Sequence, residues 1–237
     1  MPYEFIPSVV RYRDTETGRF VPRATVVRYS ELSIIAGSDA AADLAALVSS
    51  GQISPADWEQ LLRQEIKATF IQEAIVGRGG RASMTPSDWG TVGRALRDQY
   101  AYLDGFRQDI EDGLLSEAQI RARSHLYFLA SKAAFERGQA AAWGIDLPGY
   151  PTVDTICQTG DKCYWNIRRI DDRTVLASWV RTAAESCATC LQRADDWAEL
   201  EYVNGVLKTP LAQPGRGRHF QRSGLLAAAP VQVALPA

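Results

Sequence analysis

The residues best equipped for chemistry in this 237-residue chain are its four cysteines, all of which fall within one stretch. Cys157 and Cys163 lie in ICQTGDKCYW, and Cys187 and Cys190 form the C-x-x-C of ESCATC. Tetrahedral zinc takes four thiolates, commonly two from each of two knuckles, and C-x-x-C is a standard knuckle spacing. The Cys157-x5-Cys163 pair is looser, with Gly160 available to let the loop curl around an ion. Between the pairs, WNIRRIDDRTVLASWV reads as two antiparallel strands, Lys162 to Ile170 and Thr174 to Thr182, around Asp171-Asp172-Arg173. Such a hairpin brings its two ends, and so the two cysteine pairs, to one edge. Cys157, Cys163, Cys187 and Cys190 are therefore read as the ligands of one structural Zn2+. A four-thiolate site has no open position, so the ion would stabilise and not catalyse. Two disulfides, or thiols packed as small hydrophobes, are the alternatives. A redox role for the C-x-x-C does not fit, because the motif does not follow a strand in a βαβ context.

Other reactive constellations are missing from the sequence. The two histidines, His125 and His219, are far apart, and His125 falls on a helical stretch. GRGGR at 77–81 lacks the preceding strand and the Lys-Ser/Thr of a phosphate-binding loop, and reads as a basic turn. Asp171-Asp172 and Asp195-Asp196 read as a turn and a helix surface. No Ser/His/Asp or paired-carboxylate set stands out, so an enzyme is not expected. A net charge of −2 argues against a chain-wide attraction to nucleic acid or anionic membrane. No apolar run reaches the ~20 residues of a membrane span, and MPYEFIPSVVRYRD is not a signal peptide. The expected compartment is a reducing cytoplasm, with no membrane partner.

Around the cysteines, the chain divides into four segments. Residues 1–22 are aromatic, basic and turn-rich, and are expected as an N-terminal arm that docks on its own domain or on a neighbour. Residues 23–146 are expected as a helical domain. Within it, 23–50 reads as helix interrupted near Gly37. Ser54-Pro55-Ala56-Asp57 and Thr85-Pro86-Ser87-Asp88 are two copies of one start signal: an N-cap, proline at the first position and an early carboxylate. The stripes Trp58, Leu61, Leu62, Ile66, Phe70, Ile71 and Trp89, Val92, Leu96, Tyr100, Leu103, Phe106, Ile110 follow at helical spacing, each predicting one buried face. Gly113 closes the second helix, and Ser116 with Gln119 opens a third, running through KAAFERGQAAAW. Short loops predict antiparallel neighbours. Residues 147–204 form the cysteine and β-hairpin module, and 205–237 an extended, partner-dependent tail. The fold class is thus mainly α: an antiparallel helical bundle, then a small cysteine-containing β-hairpin module, with extended arms at both ends.

Several stretches carry a resemblance as a set: YRDTETGRFVPR, GQISPADWEQLLRQEIK, TPSDWGTVGRALRDQYAYLDGF, DGLLSEAQIRARSHLYF, DLPGYPTVDTICQTGDKCYWNI and AESCATCLQRADDW. In this order, over about residues 10–200, the chain resembles bacteriophage minor head proteins, the head-morphogenesis type of virion component. Leu147-Pro148-Gly149-Tyr150-Pro151 and Cys163-Tyr164-Trp165 keep part of that family's cysteine-rich end. Its GDG and middle cysteine are absent, with Gln158-Thr159-Gly160 in that region. The resemblance implies a structural protein of the phage head, assembled in the host cytoplasm. Its partners would be the major capsid protein, the portal protein or both, and the chain would form a homo-oligomer in the particle. The alternative is a nucleic-acid-binding accessory protein using the cysteine module with Arg168, Arg169, Arg216, Arg218 and Arg222.

Overall fold

Three of the helices begin on the same local device. Ser54 Oγ accepts the Asp57 amide at 3.1 Å ahead of Pro55. Thr85 with Asp88, and Ser116 with Gln119, form reciprocal capping boxes. In the computed structural model, which describes residues 2–6, 8–9, 11–149, 163–181 and 187–208, these caps open α2 (Pro55–Arg78), α3 (Pro86–Glu111) and α4 (Glu117–Ala130). They are preceded by α1 (Arg23–Ser49) and followed by α5 (Lys132–Ala142). The fold is mainly α, with two small antiparallel sheets. The first is β1–β2–β3 (Tyr3–Ile6, Arg11–Asp14, Phe20–Val21). The second has the order β4–β5–β6–β7 (Tyr164–Arg169, Thr174–Val180, Leu200–Val203, Val206–Leu207), with α6 (Ala188–Asp196) between β5 and β6.

Helix α2 lies in the middle of the body, against α1, α3 and α5. Its first half buries one face, with Trp58, Leu62 and Ile66 fully inside, and its last turns are buried almost all round. That second half is where α5 crosses it, and the crossing is close because both helices are small there. A Cβ on Gly77 would fall on the Phe135 carbonyl oxygen, and one on Gly138 would lie 2.7 Å from the Ala74 oxygen and the Arg78 nitrogen. Gly79 then ends α2 at φ 84, the left-handed conformation that glycine adopts without strain. Its carbonyl accepts the Phe5 amide at 2.8 Å, which fixes the first sheet to the helix end.

Four expectations are corrected. Helix α1 runs through Gly37 without interruption, because that glycine makes room for the Phe128 ring and does not break the chain. The third expected helix is divided at Ser131, a buried residue whose hydroxyl bonds back to the Phe128 carbonyl at 2.7 Å. Residues 1–22 form a small sheet and not an extended arm, and of the two docking places expected for them it is their own body, where Phe5 and Tyr12 are buried with Val26, Val76 and Phe135. The boundary at 205 cuts a hairpin, since Asn204-Gly205 is the turn between β6 and β7. The rest of the expected tail, 209–237, lies outside the described residues.

The glycine crossing generates a direct test. Gly138→Ala is expected to cost several kcal/mol or to abolish soluble expression, since backbone atoms cannot yield to the new methyl. Gly93→Ala, on an exposed turn of α3 with open space around it, should instead be neutral or stabilising by up to about 1 kcal/mol. Urea unfolding of the two variants checks the contrast.

Candidate functional site

A cluster of buried polar residues forms where α5, the start of α1 and the edge of β4 come together. Glu136 and Gln139 on α5 are 3% and 0% exposed, and they sit one turn apart on a helix that is buried nearly all round. Strand β4 is an edge of its sheet, and its outward-facing peptide is that of Trp165, since Trp165 stands opposite Trp179 while the Trp179 amide bonds to Trp197 instead. The Glu136 carboxyl accepts the Trp165 amide, and the Arg23 guanidinium donates to the Trp165 carbonyl at 3.3 Å. Two side chains thereby do for the strand edge what a neighbouring strand would do. Arg23 also donates to Gln139 Oε1 at 2.7 Å, and Gln139 Nε2 to the Tyr12 hydroxyl at 3.2 Å. Lys132 Nζ donates to the Cys163 carbonyl at 2.8 Å. The first sheet, α1, α5 and the second sheet are joined through this one cluster.

Its electrostatics follow from burial. Desolvation pushes the Glu136 carboxyl up to about 7, against the opposing pull of Arg23, Lys132 and the Trp165 amide. A second buried carboxyl, Glu73 on α2, is pushed up to about 8 by the same cause, against hydrogen bonds from Ser30 and Ser33 of α1. Burial likewise raises the Tyr12 hydroxyl above its ordinary range. Arg23 Nε and Glu136 Oε2 are buried without a hydrogen-bond partner. A carboxyl that titrates near neutrality can move a proton, but here it is wholly buried and faces protein backbone and the start of α1. The cluster is built to hold elements together.

Three of the four cysteines lie in the core of the second sheet. Cys163 and Cys190 are buried and Cys187 is half-buried, all in one apolar cluster with Trp165, Trp179 and Tyr202. Cys187 is the N-cap of α6 and Cys190 lies in its first turn, so the C-x-x-C is curled as a knuckle requires. Cys157 lies outside the described residues. Among those described, no three His, Cys, Asp or Glu side chains form a metal-holding group. The strands expected around Asp171-Asp172-Arg173 are β4 and β5, and Asp171 caps the turn by accepting the Arg173 and Thr174 amides. What fills this module is aromatic: Trp165, Trp179 and Trp197 stand within 5.3–5.8 Å of one another. Arg193 lies over the last two rings, at 5.2 and 4.8 Å.

The basic residues considered for nucleic acid are engaged locally. Arg168 pairs with Glu199 at 2.8 Å, and Arg169 donates to the Asp171 and Asp172 carbonyls. Arg216, Arg218, Arg222 and His219 lie outside the described residues. His125 is exposed on α4, with Nδ1 2.8 Å from Ser38 Oγ. That hydroxyl donates to the Ile34 carbonyl of its own helix, so the pair lacks the geometry of an activated nucleophile.

Sequence reasoning did not single out Arg23, Glu136, Gln139 or Glu73. The usable signal was polar residues inside otherwise small or apolar helical runs, KAAFERGQAAA and TFIQEAIVG. No protein-family model, curated protein or solved structure matches the chain.

The raised carboxyls make stability pH-dependent with a defined sign. Between pH 4.5 and about 7 the folded chain holds the Glu136 proton more tightly than the unfolded chain. The resulting stabilisation is full below 4.5 and is lost as pH rises through 7, on the order of 3 kcal/mol in all. Glu73 extends the same decline to about 8. Glu136→Gln keeps an acceptor for the Trp165 amide and removes the titration. Urea midpoints measured from pH 5 to 8.5 should fall for the parent chain and fall distinctly less for the variant. Equal slopes would contradict the assignment.

Proposed function

We propose that this chain is a structural component of a bacteriophage virion, a minor head protein that contacts capsid or portal subunits during head assembly. One observation carries the reading: a single cluster of buried polar groups joins several elements to one another. Tyr12, Arg23, Glu136 and Gln139 tie two sheets to a helical body, as a load-transmitting subunit needs. The ordered resemblance over about residues 10–200 supports the same reading. Contacts with neighbours are assigned to the outer surface of the first sheet, where Val9 and Phe20 are about half exposed, and to residues 209–237. A nucleic-acid role has less support, because Arg168 and Arg169 are held by local partners.

Within this reading, Cys157, Cys163, Cys187 and Cys190 hold one structural zinc ion that fastens the second sheet to the segment preceding it. The knuckle spacing of Cys187 and Cys190 at the head of α6 supports this, with Cys163 in the same core. Such an ion would add stability to a module whose own core is small and would take no part in a reaction.

Two measurements test the proposal. In purified particles, the chain should be present, and a version ending at Lys208 should be incorporated at least tenfold less while remaining soluble. Particles that lack the full-length chain would refute the structural role, and unchanged incorporation of the shortened one would refute the assigned contact. Elemental analysis of protein purified without added metal should find one zinc per chain, lost in Cys190→Ser. Metal-free protein with an intact mass 4 Da below the reduced value, about one pair of hydrogens per bond, would mean two disulfides instead.

A further inference from the structure

Helix α1 is the least submerged helix for its composition. Among the described residues it alone is long and apolar enough to cross a membrane by length and composition, with a mean hydropathy of 1.4, yet only 28% of that stretch is buried. In the fold it lies against α2 and α4. Its outer side leaves Leu32 and Ile35 at 48% and 47% exposure, and Leu126 of α4 is exposed as well. Between α1 and α4 runs an open groove of about 660 Å3, with an apolar floor of Ile35, Ala42, Ala118 and Ala122 bordered by the polar Ser38, Asp39, Glu117, Arg121 and His125. A floor of this kind lets a peptide backbone approach closely. The groove's rim is acidic on the α1 side. Glu31 is paired with Arg28 and Glu117 with Arg121, whereas Asp39 and Asp43 are exposed and have no ion pair among the described residues.

The chain's own last segment has the matching chemistry. Residues 223–237, SGLLAAAPVQVALPA, carry no charge and are mostly small or aliphatic, and Arg216, Arg218 and Arg222 come immediately before them. Fifteen residues span at most about 50 Å when extended, whereas the stretch of α1 that lines the groove, Ile35 to Ala42, rises about 10 Å, so a few residues of the segment are enough to fill it. We propose that residues 223–237 of this chain seat in the α1/α4 groove, with the preceding arginines against Asp39 and Asp43. Apolar burial supplies the affinity, and the opposed charges fix which end of the segment lies where. This assignment goes beyond the virion reading and stands whether or not that reading holds.

A photo-crosslinking residue placed at Ile35 of the full-length chain tests it. Mass spectrometry of the irradiated protein should find adducts within 223–237. In monomer-sized product they come from the chain's own end, and in dimer-sized product from a neighbour's; either supports the seat. Adducts confined to α1 or α4 of a second copy would overturn it in favour of helix–helix self-association, and a lack of peptide adducts would overturn it outright. Asp39→Lys with Asp43→Lys, both at exposed positions, should lower the adduct yield at least fivefold with an unchanged circular dichroism spectrum. An unchanged yield would remove the charge pairing.

Discussion

One carboxyl group sets the arrangement of the molecule. Glu136 is taken wholly out of water to accept the amide of an edge strand, and Arg23 closes the same peptide from its carbonyl side. Burying a charge without partners costs many kcal/mol, so each group in such a cluster must be matched or neutralised. Here the matches come from different parts of the chain: Tyr12 in the first sheet, Arg23 at the start of α1, Gln139 and Lys132 on α5, and the backbone of Cys163 and Trp165. Removing any one of them leaves another uncompensated. The cluster therefore specifies how two sheets and a helical body fit together, beyond what it adds to stability. It also ends strand pairing at Trp165 by occupying the edge, a protection against further strand addition.

That cluster exists because α5 can approach α2 closely. Gly77 and Gly138 bring the two backbones together, and α5 is then buried nearly all round, which leaves Glu136 and Gln139 no solvent to face. The opposite end of the body differs. Helix α1 packs with small residues such as Ala41 and Ala45 inward and leaves Leu32 and Ile35 outward. Tight, polar joints lie inside, and a shallow groove with an apolar floor and polar borders lies outside.

What could be read from the sequence followed the range of the forces involved. Caps at Ser54, Thr85 and Ser116, the stripes of α2 and α3, and the turn at Asp171 are local, and each was legible. Gly37 was misread because a helical glycine looks the same whether it breaks a helix or admits a ring, and only the position of Phe128 decides. Where the N-terminal strands dock was open in the sequence because two of their partners, Val76 and Phe135, come more than fifty residues later. The joining cluster was missed for the same reason. Arg23, Glu136 and Gln139 have no spacing motif, and what they share is burial created by a distant helix crossing. Of the cysteine site, the C-x-x-C at the head of α6 was legible, whereas the three-tryptophan core that fills the module was not.

The central claim is that a buried carboxyl closes the edge of β4 at Trp165. Residue-resolved hydrogen exchange of the native full-length chain tests it most directly, because the amides of Trp165, Ile167 and Arg169 lie on the same edge of one strand. The Trp165 amide should exchange only with global unfolding, at least a hundredfold more slowly than those of Ile167 and Arg169. Exchange of all three at a common, fast edge-strand rate would show that Glu136 does not hold that peptide, and the account of how the sheets are joined to the body would fail.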